Sequence, residues 1–141
     1  MTELDLAESA TTRRIIGAFY YVYNRLGHGF LESVYHKALA NTLDRAGLHV
    51  AREAPVRVVF EGEVVGEFRA DLIVERRVIV EVKAVDRLIP AHDAQVLNYL
   101  RASHLPVALL LNFGPRMQYR RLVGAAANQR GQLRVDCPAT T

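Results

Sequence analysis

Asp71 and, ten residues later, Glu81-Val82-Lys83 put three charged side chains inside two otherwise apolar runs, Ala70 to Val74 and Val78 to Ala84. Burying an uncompensated charge is expensive, so charges in such runs need a reason. Glu75-Arg76-Arg77, lying between β-branched stretches, reads as a hairpin tip. That register pairs Val74 with Val78 and sets Asp71 opposite Glu81, and the period of two puts Lys83 on the face of Glu81. Directly opposed carboxylates repel each other unless a cation or a shared proton sits between them. A divalent ion meets the need: Mg²⁺ takes one or two carboxylates together with waters and substrate phosphates, and Mn²⁺ is the other candidate. The other face, Ala70, Leu72, Val74, Val78, Val80 and Val82, reads as core.

The bare pattern is weak, because Glu-x-Lys is common on solvated strands, but a solvated edge shows more polar alternation than these flanks do. The chain also has 16 Arg and only two Lys, Lys37 and Lys83, which is consistent with a compact ammonium that Arg would not replace. Two helical faces add polar groups. Glu32, Tyr35 and His36 share one face by their spacing, and His92, Gln95 and Tyr99 share another, opposite a stripe with Val96, Leu97 and Leu100. Alone, each set is more often a solvated face than a site. The histidines His28, His36, His49, His92 and His104 show no HxH or HxxxH spacing, which argues against zinc. Tyr20, Tyr21 and Tyr23 read as core or dimer-face residues rather than a base-stacking run.

The elements that must position these groups follow from periodicity. Ile15, Ile16, Phe19, Val22, Tyr23 and Leu26 predict a helix over about 8 to 26, ended by Gly27-His28-Gly29, and a second helix runs from about Phe30 to Ala46 before Gly47. Extended runs are expected at Leu48 to Arg52, Val56 to Glu61, Glu63 to Val74 and Val78 to Ala84, with a bulge at Gly66. Pro90 opens a third helix to about Ser103, Pro106 to Phe113 is a buried strand, and Met117 to Val123 is a last element of undetermined type. A mixed β-sheet flanked by helices, an α/β (α+β) architecture, is the simplest packing.

At 141 residues, half of them apolar, the chain makes one domain, expected over 1–123, with 124–141 as a flexible tail. No apolar stretch is long enough for a membrane span, and the acidic N-terminus is unlike a signal peptide. The lone Cys137 excludes an internal disulfide, so a soluble cytoplasmic protein is expected. The net charge of +3 is uneven: from Phe113 onward five Arg face Asp136 alone. Arg116, Arg120 and Arg121 in that stretch are candidates for contacts with a phosphate backbone.

Gly29-Phe30-Leu31-Glu32-Ser33-Val34-Tyr35 resembles the signature of the GxxExxY proteins, small domains of the PD-(D/E)xK nuclease-like superfamily. The similarity runs from about Ile15 to Val123, taking in Asp71, Glu81-Val82-Lys83, the Gln95 to Tyr99 spacing and Leu110-Leu111-Asn112-Phe113-Gly114; Ala70 stands where the superfamily name has Pro. The resemblance implies a restriction-endonuclease-like core. It makes Glu32 the helical acidic residue, Asp71 and Glu81 the metal-binding pair helped by the Val82 carbonyl, and Lys83 the catalytic lysine. Gln95 and Tyr99 resemble the QxxxY helix element of exonuclease-type members, and with Tyr35 and the three arginines they are the expected substrate contacts. The implied activity is Mg²⁺- or Mn²⁺-dependent hydrolysis of nucleic acid, DNA ahead of RNA; the sequence leaves the oligomeric state open, with a homodimer as the candidate that the small size of the domain suggests. The alternative is a non-catalytic nucleic-acid-binding or assembly module on the same fold, since fold analogy does not settle activity.

Overall fold

The computed structural model describes residues 3–124; the tail expected from 124 onward lies, from 125, outside the described residues. Three helices and five strands follow in the order α1 (Glu3–Leu26), α2 (Glu32–Arg45), β1 (Val50–Phe60), β2 (Glu63–Val74), β3 (Val78–Lys83), α3 (Pro90–Ser103), β4 (Val107–Phe113) and β5 (Met117–Val123). The strands form one sheet in chain order, antiparallel except for the parallel pair β3 and β4, which α3 connects. The sheet is mixed and flanked by helices, as the sequence implies.

Both faces of the sheet are covered, which explains the near-continuous apolar runs in β3 and β4. On one face Ile15 and Phe19 of α1 and Leu39 and Leu43 of α2 pack on Leu72, Val74, Val80, Leu109 and Leu111. On the other, Val96 and Leu100 of α3 pack on Ile73, Ile79, Ala108 and Leu110. Arg77, at the β2–β3 tip, donates from Nε to buried Glu8 at 3.0 Å and ties the hairpin to α1.

Two local expectations change, and one element left open is decided. The two extended runs around Glu53 are one strand, because Pro55 is tolerated where β1 forms the sheet edge. Ala70 is buried as expected, but on the α3 side with Ala54 and Val56, whereas Leu72 and Val74 face α1 and α2. The strand pair therefore changes faces around Asp71, opposite Glu53, whose φ of 48° departs from extended backbone. Met117 to Val123 is a strand, paired along its length with β4. The expected bulge is present: Val58 faces Gly66 while Val59 faces Val64.

Candidate active site

The hairpin register is the one read from the charges. Val74 pairs with Val78, Ile73 with Ile79 and Leu72 with Val80, and there the β2–β3 ladder stops. One step further Asp71 and Glu81 replace it with their side chains. The Asp71 amide donates to Glu81 Oε1 at 2.8 Å, and the Val82 amide donates to Asp71 Oδ2 at 2.8 Å. Each carboxylate thus satisfies a main-chain N–H of the other strand as the strands part, which offsets the cost of burying it. Beyond this point β2 continues with β1 alone and β3 with β4, so the carboxylates lie in the crotch of a fork.

Glu81 is only 4% exposed. Burial, and then the charge of Asp71, push its pKa up to about 8, against the lowering effects of the Asp71 amide and of Lys83. Two carboxylates that repel so strongly at neutral pH are a place for a proton or a cation. Lys83 leaves the fork on the same face and donates from Nζ to Gln95 Oε1 at 3.1 Å; Gln95 Nε2 in turn donates to the Tyr99 hydroxyl at 3.0 Å. The helical spacing of four that put Gln95 and Tyr99 on one face therefore delivers them, through Lys83, to the fork. Burial, with the charges of Glu81 and Asp71, raises the pKa of Tyr99 and keeps it a donor.

From the other side α2 brings Glu32 to the rim. Its pKa is raised by partial burial and by Asp71, while Lys83, His36 and His92 pull the other way, so all five groups share one electrostatic neighbourhood. His36 Nε2 lies 3.0 Å from the Asp71 carbonyl; a carbonyl only accepts, so that nitrogen carries the proton. His92 Nδ1 accepts from the Ile89 amide at 3.0 Å and fixes the start of α3.

Tyr35, expected among the substrate contacts, is not at the site. It is fully buried, stacked on Phe113 at 4.5 Å, and its hydroxyl donates to the Gly27 carbonyl at 2.6 Å and accepts from the Phe30 amide at 3.1 Å. It fastens the loop before α2, in which Gly29 has a φ of 117° open to glycine, and so aims Glu32. The arginines divide. Arg120 sits in the row of Glu81 and Leu110 and pairs with Asp93 of α3 at 2.6 Å. Arg121 is next in β5, so it projects to the opposite face, and Arg116 is exposed at the β4–β5 turn.

Sequence reasoning missed the scaffold behind Lys83. Asn112 is fully buried in β4, accepts from the Val85 amide and donates to the Val85 carbonyl, both at 2.9 Å. Gln118 accepts from the Leu88 amide at 3.2 Å, and a Cβ on Gly114 would meet the Val85 carbonyl oxygen at 1.9 Å. Together they hold the loop from Lys83 to α3. The signal was there: Asn112 interrupts an apolar strand much as Asp71 and Glu81 do.

No curated protein matches the chain. A family model described as the PD-(D/E)XK nuclease superfamily matches residues 9–122. The chain belongs to the PD-(D/E)XK nuclease superfamily. A crystal structure of SSO0001 has a similar fold, with a TM-score of 0.54 at 16% identity over 84% of this chain. This chain spans only 60% of the length of that protein. Members of the PD-(D/E)XK superfamily are generally nucleases and typically use divalent metals. Among the described residues no three His, Cys, Asp or Glu side chains gather into a metal-holding group. The donors at the fork are instead two carboxylates, each with one oxygen on a strand amide. This hard-oxygen set fits a PD-(D/E)XK site holding Mg²⁺ or Mn²⁺ largely through water and substrate. Among the described residues no helix is long and apolar enough to cross a membrane.

Proposed function

We propose that the chain is a GxxExxY-type nuclease, its domain spanning 1–123, that hydrolyses phosphodiester bonds in nucleic acid, DNA ahead of RNA, with Mg²⁺ or Mn²⁺. The observation that carries this reading is the meeting of Asp71, Glu81, Lys83 and Glu32 at the strand fork, with Gln95 and Tyr99 hydrogen-bonded to the lysine. Asp71 and Glu81, with the Val82 carbonyl, would hold the ion, with Glu32 at the rim to assist through water. When bound, the ion would neutralise charge at the phosphate and lower the pKa of water so that hydroxide is available as the nucleophile. Lys83 orients that water or neutralises a non-bridging oxygen, and exchanges its bond to Gln95 for one to substrate. Gln95 and Tyr99 donate to the phosphate backbone, while Arg116 and Arg120 meet it further out.

The test incubates labelled single- and double-stranded DNA and RNA with the protein in Mn²⁺, Mg²⁺ or EDTA, beside Glu81→Ala. Metal-dependent cleavage that the variant loses supports the reading; wild-type rates in purified Glu81→Ala remove the assignment.

One observation favours the alternative, a binding or assembly module that keeps the pocket as structure. Both carboxylates are already engaged by strand amides, and a protonated Glu81 would complete a network needing no ion. Calorimetric titration with Mn²⁺ separates the two, since such a network does not take up the ion. Salt-dependent nucleic-acid binding without turnover would favour the module.

A further inference from the structure

Next to the fork, between α3 and the far half of the β1–β2 hairpin, lies a cavity of about 360 Å³. Phe68, Tyr99 and Ala102 make its apolar wall, with Gln95, Asn98 and Arg101 at its polar margin. The Phe68 and Tyr99 rings lie face to face at 4.1 Å and 10°, each covering one face of the other, and this stacked aromatic pair lines the cavity. We propose that this cavity takes an unpaired nucleobase, flanking the phosphodiester held at the fork, so that the preferred substrate is single-stranded or locally opened.

Three features select this occupant. The cavity is large enough for a nucleoside and has the mix of apolar wall and few polar groups typical of small-ligand sites. Its lining holds one cation, Arg101, and no carboxylate, which suits the base and adjoining phosphate of an anionic chain. It is continuous with the fork: Gln95 and Tyr99 line the cavity and are also the groups that Lys83 reaches through two successive hydrogen bonds. A phosphate at Lys83 therefore leaves its neighbouring base beside the aromatic pair, where an outer ring face is the surface for it to stack on. Stacking tolerates any base, while the amides of Gln95 and Asn98 offer donors and acceptors to its edge.

This inference rests on the proposed nuclease reading and is tested so that the two fail separately. Affinity of the whole protein in EDTA is measured by fluorescence anisotropy for a labelled single-stranded oligonucleotide, for the same length of fully abasic strand, and for duplex. Wild type is expected to bind the base-bearing strand about tenfold more tightly than the abasic one, the scale of one base–aromatic stack, and more tightly than duplex. Phe68→Ala, and the milder Phe68→Leu in case the first unfolds, should bind the two strands equally, with abasic affinity unchanged. Equal binding of base-bearing and abasic strands by wild type overturns the base site, and metal-dependent cleavage persisting beside it leaves the nuclease reading standing. Binding of no nucleic acid, with no cleavage, overturns both.

Discussion

Glu81 is held in the fold at a cost that pH controls. Unfolded, the carboxyl titrates near 4.5; folded, burial and Asp71 raise it to about 8, so across that window the native chain keeps a proton the unfolded chain has lost. The stabilisation is complete below the unfolded value, declines as pH rises and is gone above the folded one. Metal-free protein should therefore melt at a lower temperature near pH 8 than near pH 5, and Glu81→Gln, which cannot ionise, should show a flatter profile; identical slopes in calorimetry would refute the shift. Chemistry at this scale is as sharp. If Lys83 acts on the attacking water or the phosphate, Lys83→Ala should lower kcat by about 10²-fold or more while the melting temperature moves little. The hydrogen bond its nitrogen gives up is the one to Gln95.

Between elements, the site depends on two fasteners outside it. Tyr35 bridges Gly27 and Phe30 and so orients Glu32. Tyr35→Phe should cost about 1–2 kcal/mol in urea unfolding, because two main-chain groups lose their partner, without raising KM as a lost substrate contact would. Gly114 allows the Val85 carbonyl to pass where a side chain would stand. Gly114→Ala should destabilise by about 1–3 kcal/mol and also reduce turnover, since the loop it displaces carries Lys83 toward α3. Normal stability with the alanine would show that the loop does not need the close approach.

For the molecule as a whole, ion binding and folding are linked. A cation that binds only the native fork stabilises it by about 2.7 kcal/mol at a hundredfold excess over Kd. Mn²⁺ at neutral pH should accordingly raise the melting temperature of wild type by several degrees and leave Glu81→Ala and Asp71→Ala unmoved. A shift of the same size in all three would place the ion elsewhere.

Much of this was legible in the chain itself. Apolar periodicity, Gly47 and Pro90 marked the helices, and charge between β-branched runs marked the hairpin tip, because these signals are local: backbone conformation and side-chain alternation act over a few residues. The same alternation sets Asp71 against Glu81 and puts Lys83 beside them. What only the packed structure decided is everything that depends on partners distant in sequence. Tyr35 looked like a site residue from its helical face, yet Phe113, far along the chain, closes over it. Arg120 and Arg121 were equal as charges until pairing with β4 put them on opposite faces. Asn112 gained its purpose from a loop that no spacing rule connects to it. Sequence fixes which groups can share a face through short-range geometry, but burial and the loss of water that shift Glu81 and silence Tyr35 arise only when remote segments come together.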